Sequence, residues 1–417
     1  AETETGGANI NMVPKEGGNS LKLFGLIAYA DQNLSAKAVP KSVSDRGFGP
    51  QTSLRKVYDY GVGVGGPLKK DKAWFYSTYR PWGAQNYGTV RLDVDTNPLT
   101  YTPGPDRGYA DTYFADESFR ATIQLNAKNK VNHEIHLQYG CSCDLALGLG
   151  AQQTPEAATD FDYGPQILNQ TTWNYTATNK LLIQAGATFL QQNVTYQNGT
   201  TSNASKFTGS GKGVNPGLGA FAITDLATTL TWGALPGSIQ NYGGPDDSAN
   251  FNQKFVVNYI TGSHAIKAGL QTLQGHYDFD GMGLQYPVEQ VNYQFRSGVP
   301  VSLSQFAGPF VSKTRLGGQG LFVQDQWTLN RLTLSYGARY DHFNARTLAL
   351  DVPAGRFRPA FSVAERKNLP DFKDFTYRVG AAYDVFGNGR TAIKGGFGKY
   401  LMGQGGSLAQ QGFSKSF

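Results

Sequence analysis

The chain has 417 residues, 40% hydrophobic and 16% charged, with 52 Gly, 23 Tyr, 25 Phe and 3 Met, a mixture that favours turns and aromatic strands over helical bundles. No unbroken apolar run reaches the roughly 18 residues of a spanning helix, so any membrane residence must be through β-strands. The 37 basic and 31 acidic residues leave a net charge of +6 but are scattered along the chain, so no nucleic acid partner is expected.

In chain order, the sequence is a succession of alternating segments of about ten residues. Within 57 to 66, Tyr58, Tyr60, Val62 and Val64 alternate with Gly61, Gly63 and Gly65. Next, Phe119, Ala121, Ile123 and Leu125 alternate with Arg120, Thr122, Gln124 and Asn126, and His133, Ile135, Leu137 and Tyr139 repeat the rhythm. Further on, Leu332, Leu334, Tyr336, Ala338 and Tyr340 alternate with Thr333, Ser335, Gly337, Arg339 and Asp341. The same split recurs between Phe375, Tyr377, Val379 and Ala381 on one side and Thr376, Arg378 and Gly380 on the other. A strand sends such sets to opposite faces, one apolar and one polar.

Tight turns are expected at 69–72, 128–130, 178–180, 261–264, 329–331 and 387–389, where Asn, Gly and Lys gather. Long polar connections are expected at 31–56, 84–114, 142–167, 196–248, 279–313 and 345–373, lengths uncommon in compact soluble domains. Short and long connections in strict alternation describe an outer-membrane barrel. The expected fold is therefore all-β, an antiparallel transmembrane β-barrel of about thirteen strands with short periplasmic turns and long extracellular loops. An odd strand number does not close a single-chain barrel, so the chain is expected to be an incomplete part of a larger one. Residues 403–417 lack apolar alternation and read as the start of another loop.

Motifs that suggest chemistry mostly dissolve in this setting. Gly61, Gly63 and Gly66 satisfy a dinucleotide pattern, but Pro67 and a Lys turn follow instead of a helix, so inner-face room for a plug explains them better. His133 and His136, three apart on a strand, point to opposite faces and do not share a metal; His133 is expected outside and His136 inside. Cys141 and Cys143 have one intervening residue, which strains a bridge, so two ordinary thiols are the expectation, with a loop disulfide and metal capture as alternatives. Asp246, Asp247, Asp278 and Asp280 lie in or beside the expected long loops and read as solvated carboxylates, with calcium binding as the alternative. No catalytic constellation, cofactor site or metal site emerges, so the protein is not expected to be an enzyme.

Aromatic residues say more. Trp74 and Trp327 flank two expected tight turns and belong at one membrane interface, while Tyr139, Tyr340, Phe343 and Tyr400 mark the opposite girdle. The longest connection carries Phe207, Phe221, Trp232 and Tyr242 among glycines, which makes these four the candidate ligand-gripping residues.

Three stretches carry a family resemblance. Thr5 to Asn19, with Gly6-Gly7-Ala8-Asn9-Ile10-Asn11 at its centre, resembles the end of the plug domain of TonB-dependent outer-membrane receptors. Gly65-Gly66-Pro67-Leu68-Lys69-Lys70-Asp71-Lys72-Ala73-Trp74-Phe75-Tyr76 resembles the first periplasmic hairpin of their Oar-like branch, whose members often carry a carboxypeptidase-regulatory-like domain ahead of the plug. Leu321 to Trp327 with Arg339-Tyr340-Asp341 is similar to a mid-barrel hairpin of the same family. The resemblance implies that 1–18 end a plug and that 19–417 form the N-terminal part of the barrel. It also implies outer-membrane residence, lipid contact, a TonB partner reached through a missing N-terminal region, and uptake of a bulky extracellular ligand such as an oligosaccharide, peptide or metal chelate. A passive or adhesive barrel is the alternative, and a soluble β-rich carbohydrate-binding protein a further one.

Overall fold

The computed structural model describes residues 13–35, 40–46, 53–93, 99–148, 152–198, 220–233, 244–281, 288–305, 310–355 and 357–403, together with Glu2, Asn97 and residues 405, 406, 408 and 409. The strands are β1 (Lys22–Asp31), β2 (Ser53–Lys69), β3 (Ala73–Asp93), β4 (Pro103–Asn126), β5 (Asn129–Cys143), β6 (Thr159–Thr176) and β7 (Leu181–Asn198). They continue as β8 (Ala220–Asp225), β9 (Thr231–Trp232), β10 (Gly244–Thr261), β11 (His264–Gly281), β12 (Val288–Arg296), β13 (Val299–Gln305) and β14 (Phe310–Leu329). The last are β15 (Leu332–Thr347), β16 (Leu350–Val352), β17 (Phe361–Val363), β18 (Asp371–Asp384) and β19 (Ala392–Gly398).

Thirteen of them make one antiparallel sheet in the order β1-β2-β3-β4-β5-β6-β7-β10-β11-β14-β15-β18-β19, each strand beside its predecessor. That matches the expected count and all six expected tight turns. At the two ends of the sheet, β1 and β19 have a strand neighbour on one side only, among the described residues.

Register decides the faces, because directly paired residues in neighbouring strands share one. Tyr340 pairs with Leu321 and Phe375, Ala338 with Val323 and Tyr377, and Tyr336 with Val379. Leu321 is 56% exposed, Val323 51% and Val379 54%. A water-soluble sheet does not leave a band of this kind open, whereas a lipid-facing one must. The other face carries Gly337, Arg339 and Asp341 beside Arg378, Thr376 and Asp374, so polar residues line the concave side.

Two expectations need correction. The interior strands run 14 to 24 residues instead of about ten, so the connection placed at 84–114 shrinks to 94–102. Apolar alternation marks only the part of a strand that crosses hydrocarbon; beyond it, backbone pairing continues between polar residues in water. The second correction concerns the longest connections, which are not plain loop. From 199–243 and 282–309 come the four strands of a second sheet, β13-β12-β8-β9, in which β12 lies parallel to β8. Long connections carry backbone groups that must be paired once they fold down, and these pair with each other.

Candidate functional site

The concave polar face is the candidate site, and Glu2 and residues 16–19, from the part of the chain ahead of β1, lie against it. Asn19 opens the path at the first tight turn, where its Oδ1 accepts hydrogen bonds from the Asp71 backbone N–H (3.0 Å) and the Trp74 indole (2.7 Å). A Cβ on Gly17 would overlap the carbonyl oxygens of Phe75 and Gly66, so the segment passes against β2 and β3 with no room for a side chain there. Glu16 then bridges Arg120 of β4 (3.1 Å) and Lys130 of β5 (2.8 Å), and Arg120 also holds Glu134 at 2.7 Å. Farther round the wall, Glu2 pairs with Lys254 of β10 and Lys267 of β11. The Glu2 carbonyl accepts from Arg339 (3.0 Å), whose guanidinium also donates to Gln271 (2.8 Å) and Asp341. Burial opposes both carboxylate charges, but the lysine hydrogen bonds and the surrounding positive charge outweigh it. The carboxyls of Glu2 and Glu16 are therefore held below their ordinary range.

Between these two anchors the wall is lined with side-chain amides and hydroxyls. Thr122 donates to Asn132 (3.0 Å), which reaches Thr172 (3.3 Å). Gln184 donates to Asn174 (2.8 Å) and accepts from Asn258 (3.1 Å). The Thr122, Asn132 and Thr172 row is continuous with Trp74, because Trp74 pairs with Thr122. A concavity of 1030 Å³ opens in front of this wall, bounded by Glu2, Lys254, Gln271, Arg339 and their neighbours.

The candidate residues named from sequence fall into separate places. Trp327 stands on the outward face beside its turn, stacked on His264 at 5.2 Å. Tyr340 and Tyr139 are on that face too, 44% and 41% exposed. Trp74 adjoins its turn as expected but on the polar face, where its indole serves Asn19. Phe343 shares the inward parity of Arg339 and Asp341, and Tyr400 covers the Arg378 guanidinium at 4.4 Å. Trp232 is 4% exposed, packed with Ile223 and Phe295 of the small sheet and with Tyr101 from the connection before β4, so it presents no ring face to a ligand. Phe221 lies in β8, with its side chain outside the described residues, as are Phe207 and Tyr242 entirely.

Other expectations are settled by neighbours. His133 turns outward to Thr171 and His136 inward to Asp116, 3.7 Å away. Gly63 and Gly65 make room for the Tyr76 ring of β3, where the plug was the expected occupant. Asp246, Asp247 and Asp278 stand in paired strands instead of loops; Tyr277, His276 and Arg315 respectively bind them. Cys141 and Cys143 are not two thiols but a disulfide, because alternation puts both on one side of β5 with their Cα atoms 5.2 Å apart, within bridging range. The sequence signal missed at this site was the N-terminal pair Glu2 and Glu16: isolated acids in a segment without periodicity.

Residues 99–416 match a family described as "Outer membrane beta barrel domain". The chain is 24% identical, over 95% of its length, to the TonB-dependent transporter Oar of Myxococcus xanthus, and it covers 42% of that protein. Among solved structures, the outer membrane transporter YddB from Escherichia coli superposes with a TM-score of 0.58 at 10% identity, over 94% of this chain and 45% of that one. The ferric-catecholate import receptor Fiu from E. coli K12, in its open form, gives 0.52 at 10% identity, over 92% and 55%. At such identities these two likenesses establish the fold. The chain spans less than half the length of the curated relative it matches.

Proposed function

The chain belongs to the outer membrane beta barrel domain family, whose members reside in the outer membrane, and from that premise we propose that it forms part of a TonB-dependent importer for a bulky extracellular ligand. One observation carries this reading. Ahead of the first strand, among the described residues, Glu2 and Glu16 are held on the inner face by ion pairs to the wall. Lys254 is 44% exposed and Lys130 34% exposed, so the pairs these two lysines make contribute about 1 kcal/mol or less each. Such contacts hold a segment in place and also let it go, which is what an energised, plugged conduit requires. The amide and hydroxyl lining supplies successive weak hydrogen-bonding partners for a hydrated ligand along the wall. The likeness to a TonB-dependent transporter supports the same conclusion.

The test is energy dependence. In cells expressing the intact protein, protein-dependent uptake from a labelled mixture of oligosaccharides, peptides and metal chelates should vanish when TonB is deleted. Uptake that persists without TonB would make it a passive barrel.

A further inference from the structure

Near the long-loop end of the inner wall, one row of paired positions runs across four strands as Trp82, Phe114, Gly140 and Tyr163. All four share a face with Arg80, Asp116 and Arg120, the face that Glu16 contacts. The rings touch in series and make an aromatic shelf: Trp82 stacks on Phe114 at 5.7 Å with planes 25° apart, and Phe114 meets Tyr163 at 5.3 Å with planes tilted by 44°. Gly140 is what allows this. A Cβ there would overlap the Phe114 ring, so the missing side chain lets Phe114 lie across β5 and reach the ring on β6. Three strand spacings give the shelf a span of about 14 Å.

Directly beside the shelf, one step nearer the short turns, a second paired row reads Arg80, Asp116, Gln138 and Gln166. Arg80 is fixed by two hydrogen bonds to Asp59, of 2.8 and 2.6 Å, with its guanidinium carbon 5.3 Å from the Trp82 ring centre. Its side chain is nevertheless 54% exposed, so its remaining donors face the lumen. On the other side, farther toward the long-loop end, Leu147 of the connection between β5 and β6 is buried against Gly88, Gly108 and Ala110.

We infer that this part of the wall is a binding subsite for a short neutral oligosaccharide. A pyranose has a flat face of C–H groups and a rim of vicinal hydroxyls. The first suits half-buried aromatic rings, and the second suits a parallel row of guanidinium, carboxylate and carboxamide groups that both donate and accept. The ligand's biological setting rests on the importer reading, but the subsite itself does not.

The experiment is equilibrium titration of the purified intact protein in detergent, without TonB, with maltotriose, cellotriose and xylotriose. At least one should bind saturably with a Kd of about 1 mM or tighter. Trp82→Ala and Phe114→Ala should weaken it about tenfold or more, Trp82→Phe should restore most of it, and Trp327→Ala on the outward face should leave it unchanged. Gly140→Val, whose added carbons meet the Phe114 ring and the Tyr113 carbonyl oxygen without removing an aromatic residue, should weaken it as well. Heat-modifiable migration on gels reports whether each variant is folded. No binding of any of the three sugars, binding indifferent to Trp82→Ala in the folded variant, or a ferric catecholate chelate taking the same site in their place would overturn the inference. TonB-independent uptake would overturn the importer reading and leave this one standing.

Discussion

The wall strands β3 to β6 and the small sheet β8, β9, β12 and β13 are both antiparallel for the most part, yet they owe their order to different things. In the wall each strand pairs with its sequence neighbour, across connections that range from the tight turn at 127–128 to the stretch 144–158, and period-two alternation tells each side chain which way to face. In the small sheet, β8 pairs with β12 across most of β9 to β11, and among the described residues its buried core is Ile223, Trp232 and Phe295, with Tyr101 and Leu230 packed against them. Local pattern builds the first region; long-range burial builds the second.

The largest effect should come from breaking the second region. Trp232→Ala removes the centre of its core and should cost about 3 to 5 kcal/mol, enough to unfold that sheet while the barrel stays intact. Protease cleavage within 220–233 with unchanged heat-modifiable migration is the expected outcome. Loss of the whole fold would show that the two regions are one cooperative unit.

The wall is tested by side rather than by site. Arg in place of Leu334, Ala338, Val379 or Ala381 should cost about 2 to 4 kcal/mol in folding into lipid vesicles, while Arg at Gly337 or Gly380 should escape that penalty. Equal costs on both parities would contradict the assignment of faces.

That contrast also explains what was legible beforehand. Strand number and the outward placement of Tyr340 and Val379 follow from alternation, and the six tight turns from the Asn, Gly and Lys gathered between alternating segments; both signals act over neighbouring residues. Trp232 was misread because an aromatic residue among glycines looks the same whether its ring is offered or buried; the partner that buries it, Phe295, lies far along the chain. Trp74 was placed by distance from a turn, which fixes its height and not its face. Phe343 fell to the same confusion, three residues from Tyr340 and therefore of opposite parity. Glu2 and Glu16 gain their meaning from Lys254, Lys267, Arg120 and Lys130, which no spacing connects to them.

Topology gives a smaller, qualitative contrast. Cysteines introduced at Asn129 and Asn388, by the short turns, should resist membrane-impermeant labelling of whole cells, while one at Ser202 in the longest connection should react; the reverse would invert the orientation. The mildest effect concerns pH. Because the folded-state pKa of Glu2 and Glu16 is lowered, their contribution to holding the N-terminal segment is complete above the ordinary Glu value and fades as pH falls through the depressed one. Proteolysis of residues 13–18 should therefore quicken in acid, and Glu16→Gln should quicken it at neutral pH and flatten the dependence.

The central claim is that one sheet separates lipid from a polar, segment-bearing lumen. It is tested most directly by single cysteines from Leu334 to Tyr340, each labelled with a fluorophore in protein reconstituted into brominated lipid. Quenching should alternate along β15, strong at Leu334, Tyr336, Ala338 and Tyr340 and weak at Ser335, Gly337 and Arg339. Quenching that varies smoothly with depth and ignores parity would contradict the account.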